Sequence, residues 1–340
     1  MVRRSRRGVL VALAVLAVAS GCTTHAAKPT PDPLLPLLNA ATSDAVAAAA
    51  DAKAFADNAP TLAVIAAVRR QQAAALRTEV DRAAAVTATP TATTSAAPPP
   101  PTNEATATAA LLTGMTDAQR EAARLMPDLP SYRAGLVGSV AAGCASLAEA
   151  LNSTPITPTT ATSAGPADAA PSGGTAPPVT AAPTTTSAPP VSTSHLTADT
   201  AAALQQALGT EHAALWLYGT ASAFVTGSSE TEIIAAMGSV QSLRDATEHR
   251  LSVGGVTPQP AQPAYLVPSP VTNQASALAA LAVAESDATV AWRSVLEHSD
   301  DPGLRAAALS ALIDSAVRET RWRRLAGQTP ASVAMPGGTS

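Results

Sequence analysis

The stretch LGTEHAALWLYG, residues 208–219, decides the fold. Leu204, Leu208, Leu215 and Tyr218 stand at i−7, i−3, i+4 and i+7 from Glu211, so on a helix they share its face. That face is apolar, and a carboxylate projects from the middle of it. His212, the next residue, points roughly 100° away. A buried carboxylate needs a cation or a proton to compensate it, and the rest of the sequence must supply one or the other.

Working outward, periodicity and end signals predict helices over 197–226, 229–254, 274–298 and 302–326. Gly227 closes the first. Ser229 with Glu232 has the pattern of a capping box for the second, which ends at Gly254 and Gly255. The Pro-rich loop TPQPAQPAYLVPSP, 257–270, leads to the third; Asp301 caps the fourth, with Pro302 in its first turn and Gly327 just past its end. Long helices with short turns and one long connection describe a four-helix bundle over 195–328.

Three of these helices turn one carboxylate inward. Glu285 has Leu278, Ala282, Ala288 and Trp292 on its face; Glu319 has Leu312, Ala316 and Ala326. The second helix offers RDATEHR, 244–250, in which Glu248 lies at the edge of the stripe and His249 follows Asp245 by one turn. One carboxylate from each helix is the arrangement of di-iron and di-manganese carboxylate proteins, and oxygen ligands with imidazole suit iron or manganese. Glu211, Glu248, His249, Glu285 and Glu319 are therefore candidate metal ligands. Against this, the chain contains no Glu-x-x-His, which that ligand pattern requires on two helices. The alternative is that the inward carboxylates pair with Arg244, Arg318 or Arg323, or sit near water at the bundle's ends.

The segments ALGTEHAALWLYG, EHRL, PAYLVP and AESDATVAWR together resemble an uncharacterised ferritin-like domain family found in lipoproteins of high-GC Gram-positive (actinobacterial) bacteria. The resemblance covers the C-terminal unit well and the N-terminal unit loosely. It implies a ferritin-like four-helix fold and no established activity.

A related helical bundle is expected over 33–152, with helices near 33–56, 60–86, 116–126 and 130–151 and a low-complexity insert at 87–102. Thr116 with Gln119 suggests a capping box, and Asp57-Asn58 before Pro60 a tight helical hairpin. VIAAVRRQQAAALRTEV, 64–80, and IIAAMGSVQSLRDATEHRL, 233–251, share a pattern that suggests diverged copies. Residues 153–194, almost wholly Thr, Ser, Ala, Pro and Gly, read as a disordered linker, and 329–340 as a disordered tail.

The N-terminus carries Arg3, Arg4, Arg6 and Arg7, then GVLVALAVLAVA and ASGC. This is a signal peptide over 1–21 whose end resembles a bacterial lipobox, making Cys22 a lipidated N-terminal residue and 22–32 a tether. SRRGVL, 5–10, resembles a twin-arginine export signal, the general export route being the alternative. Lipid would hold the protein at the outer face of the plasma membrane. Cys144 is then the only thiol remaining, so no internal disulfide forms; it reads as a small core residue. Net charge is −4, and the one basic cluster outside the signal, RETRWRR at 318–324, fits the end of a helix, so nucleic acid is not an expected partner. No Gly-rich phosphate loop, Cys-x-x-Cys, His-Glu-x-x-His or Gly-x-Ser-x-Gly occurs. The expectation is an all-α, membrane-anchored envelope lipoprotein with a non-catalytic binding or structural role, its partners being envelope proteins or a small ligand. The alternative is a di-metal oxidase or iron-handling protein.

Overall fold

The computed structural model describes residues 31–87, 103–152, 195–267 and 269–338. The leader, Cys22, most of the tether and insert, and the linker lie outside the described residues. The fold is all-α, with no strand among the described residues. Among the described residues eight α-helices run in order: α1 Leu35–Ala54, α2 Ala59–Thr87, α3 Glu104–Leu125, α4 Ser131–Asn152, α5 Ala198–Ala221, α6 Ser228–Val253, α7 Gln274–His298 and α8 Pro302–Leu325.

End chemistry explains most boundaries. Asp301 caps α8 by accepting from Leu304 N–H at 2.6 Å, and Asn273 caps α7 in a reciprocal box with Ser276. The end of α6 is a Schellman turn: Val256 N–H donates to Leu251 O and Gly255 N–H to Ser252 O, which places Gly255 at φ 78°, a left-handed value that favours glycine. Two expected capping boxes do not form. α3 begins three turns earlier than predicted, capped by Asn103, because Ala107, Leu111 and Met115 extend its buried face upstream. Thr116 is thus mid-helix and donates to Leu112 O. At α6 the cap is Gly227, with no side-chain bond, and Glu232 turns toward Arg321 instead.

Both halves use one arrangement. α1 pairs with α2, α3 with α4, and α1 with α3; correspondingly α5 pairs with α6, α7 with α8, and α5 with α7. A long connection separates the second and third helix of each half. The likeness between 64–80 and 233–251 therefore falls on the second helix of each half, α2 and α6.

The described residues from Asp32 onward form one compact unit. The joint is α4, which packs on α3 within its own half and on α7 and α8 of the other. Its sequence, SYRAGLVGSVAAGCASLAEALN, is apolar all round, and residues 133–135 and 137–147 are all buried. This helix is long and apolar enough to cross a membrane, yet 78% of that stretch is buried inside the protein. Gly135 and Gly138 let it approach α7; a Cβ at Gly138 would overlap Leu296 Cδ1. Arg305 of α8, 2% exposed, seals the joint by donating to the carbonyls of Leu129 and Met126 between α3 and α4.

The tail is a correction to the sequence reading, because residues 329–338 are docked. Gln72 of α2 donates to Ala334 O at 2.9 Å and Ser139 of α4 to Pro336 O at 2.7 Å. Gly143 leaves the space that Ala334 O fills. Composition suggested disorder, but two buried side-chain donors need acceptors, and the tail's carbonyls provide them.

Replacing Gly138 by Val should lower stability by about 1–3 kcal/mol through overpacking. Gly238→Ala, on the exposed face of α6 with nothing within 4 Å of the added carbon, should raise it by up to about 1 kcal/mol. Paired denaturant titrations check both.

Candidate functional site

The core of the C-terminal half holds a buried polar chain. Glu285 of α7, 1% exposed, accepts from Arg318 Nε of α8 at 2.7 Å and from Tyr218 Oη of α5 at 2.6 Å on one oxygen, and from Arg318 Nη2 at 3.0 Å on the other. Arg318 also donates to Ser315 Oγ at 3.1 Å. Trp322 Nε1 donates to Tyr218 Oη at 2.9 Å, with the two rings edge to face. Every oxygen of this carboxylate is engaged in charge-assisted bonds. Burial, with the Glu285 charge beside it, pushes the Tyr218 phenol well above its usual range.

The remaining candidates lie apart from this chain and from one another. Glu319, one residue after Arg318, is buried and meets Arg323 Nη1 at 3.3 Å. Burial dominates over that arginine, and its carboxyl rises to about 7. Glu211 faces α6 and not the Glu285 chain. One oxygen accepts from Thr247 Oγ1 at 3.1 Å; the other is buried without a hydrogen-bond partner. Burial raises this carboxyl to about 8, so it carries a proton at neutral pH. Glu248 is 40% exposed and approaches His212 Nε2 at 3.7 Å.

His249 lies elsewhere, lining a cleft at one end of the bundle with His195 and His298. Arg244 pairs with its neighbour Asp245 and not with an inward carboxylate. Among the described residues no group of three or more His, Cys, Asp or Glu side chains is close enough to hold a metal ion. The five candidate ligands do not converge in this structure: a guanidinium grips Glu285, Glu211 faces Thr247, and His249 sits apart.

The N-terminal half repeats the solution. Arg69 of α2, fully buried, donates through Nη2 to Asp44 of α1 at 2.6 Å, and through Nη1 to Gln72 Oε1 at 2.6 Å and to Cys144 Sγ at 3.0 Å. Burial raises the Cys144 thiol above its ordinary range, which keeps it protonated and unreactive.

Arg318 and Arg323 were named as partners from the sequence: Arg323 lies one turn from Glu319 on α8, whereas Arg318 reaches across to Glu285 of α7. The roles of Tyr218, Arg69 and Asp44 were missed. A signal existed: Arg69 stands on the stripe of Leu62, Ile65 and Leu76, all buried, as Arg318 stands on that of Ala311, Ser315 and Trp322.

The raised Glu211 carboxyl has a definite consequence for pH. Its folded value, about 8, exceeds the ordinary 4.5, so the native state binds the extra proton between these limits. The stability it permits is fully present below pH about 4.5 and is lost progressively as pH rises to about 8. Glu211→Gln should therefore raise the Tm, by a margin that grows from pH 5 to pH 8.5; a thermal scan series on both proteins measures it.

Residues 203–340 match the family model described as "Domain of unknown function (DUF4439)". Among solved structures the chain is similar to a conserved hypothetical protein, rv2844, from Mycobacterium tuberculosis, at 36% identity, covering 37% of this chain and 96% of that one, with a TM-score of 0.37. Curated proteins provide no match. The C-terminal half of the chain, over residues 203–340, belongs to this domain family of unknown function.

Proposed function

We propose that the protein is a lipid-anchored envelope protein whose ferritin-like helical body serves a binding or structural role without catalysis. The observation that carries this reading is Arg318. Its guanidinium lies against the inward carboxylate of α7, where a carboxylate-bridged centre would need a metal. With Arg318 and Tyr218 on its oxygens, Glu285 is compensated without a metal.

The leader and the small residues before Cys22 support lipid attachment and residence at the outer face of the plasma membrane, as does the resemblance to lipoproteins of high-GC Gram-positive bacteria. The arginines near the end of α8 support the exclusion of nucleic acid: Arg318 pairs with Glu285, Arg321 with Glu149 and Arg323 with Glu319, so they are spent inside the fold. Envelope proteins or a small ligand remain the partners of this reading.

Two measurements test it. Natively exported protein, purified without chelators, should contain far less than one equivalent of iron or manganese by mass spectrometry. Near-stoichiometric metal that disappears with Glu285→Gln would contradict the reading. Cys22→Ala should shift the protein from the membrane fraction to the soluble one; unchanged membrane residence would contradict the lipid anchor.

A further inference from the structure

The connection between α6 and α7 is about twenty residues long and holds no helix or strand among its described residues, a length that in a compact fold usually accompanies function. It is nonetheless pinned to α5. Gln205 Nε2 donates to Thr257 O at 2.7 Å, Gln259 N–H to Gln205 Oε1 at 3.0 Å, and His212 Nε2 lies 3.3 Å from Gln259 O. Within the loop, Gln262 N–H donates to Tyr265 Oη at 2.9 Å. These bonds fix the Tyr265 ring beside Trp216 of α5, with ring centroids 6.2 Å apart and planes inclined at 55°.

The loop thereby walls a cleft between α5 and α7. Trp216, Leu217, Tyr265, Leu266 and Val283 provide apolar sides, and alanines from both helices make the floor low. Leu266 is fully exposed and Val283 43% exposed, an arrangement that burial in the fold's own core does not explain. The cleft holds about 80 Å³, room for one ring or branched alkyl group and not for a peptide or lipid chain. Its only charged lining residue is Asp287. Among the described residues that carboxylate has neither an ion pair nor a hydrogen bond, unlike the carboxylates of the core.

We infer that this cleft binds a small organic ammonium compound, its apolar group against the wall that Trp216 and Tyr265 form together and its cation at Asp287. Aromatic faces attract a cation through their quadrupole, an apolar pocket with one directed polar group fixes orientation, and a lone carboxylate disfavours anions. Partial burial alone raises the Asp287 carboxyl, the condition a bound ammonium would relieve. The loop bonds supply the rigidity, which lowers the cost of ordering on binding. The inference deepens the binding reading above and rests on it, whereas the metal measurement stands apart: low metal with no amine binding would refute this site alone.

The test uses the full chain in lipid nanodiscs, titrated with benzylamine, phenethylamine and cyclohexylamine and with the alcohol and carboxylate matched to each, followed by tryptophan fluorescence. Trp292 and Trp322 are buried, so Trp216 reports on the cleft. At least one amine should bind about tenfold or more tighter than its alcohol and carboxylate. Asp287→Asn, at an exposed position where folding is not at stake, should erase that preference, and Trp216→Phe should remove the fluorescence response. Equal binding of amine, alcohol and carboxylate, saturation by none of the amines, or a preference that survives Asp287→Asn would each overturn the inference.

Discussion

A charge inside a helical bundle must be balanced where it stands, and both halves of this protein depend on meeting that requirement with arginine. Arg318 answers Glu285 between α8 and α7, as Arg69 answers Asp44 between α2 and α1. Each pair ties two antiparallel helices across the core. Such pairs add little to stability compared with apolar packing of the same volume, but breaking one strands a buried charge. They therefore fix which helices lie together and at what register. Where no arginine reaches, as at Glu211, a proton serves, and the balance becomes dependent on pH.

Helix α4 extends this logic to the whole molecule. A helix apolar around its full circumference cannot be buried by three partners on one side. It needs the second half, and its glycines let that half come close. Arg305 caps the joint by satisfying carbonyls in the α3–α4 connection, and the C-terminal tail covers the remaining flank through Gln72 and Ser139. A segment of low sequence complexity thus becomes ordered because buried donors require its carbonyls.

Much of this was legible in the sequence. Glycines at helix ends, Asp301 with Pro302, and the apolar stripes located seven of the eight helices closely, since these signals act within a few residues. The start of α3 was not, because Thr116 carries a cap signature that an uninterrupted apolar face upstream overrides. The inward aim of Glu211, Glu285 and Glu319 followed from spacing, and Arg318 and Arg323 were named as partners. What spacing does not encode is depth and distance between helices: that Tyr218 meets Glu285 while Glu211 stays with Thr247, that His249 reaches a different cleft, and that the tail docks 197 residues from Ser139 in sequence. The Trp216–Tyr265 wall depends on loop bonds from Gln205 and His212 that no periodicity announces.

The central claim is that Arg318 balances Glu285, the core carboxylate of the C-terminal half. A double-mutant cycle on Glu285→Gln and Arg318→Met, measured by denaturant unfolding, tests it most directly. Each single change should cost about 3–5 kcal/mol by leaving its partner unpaired, and the double mutant should cost less than the sum by about 2 kcal/mol or more. Additive effects would show that the two side chains do not depend on each other and would contradict the account.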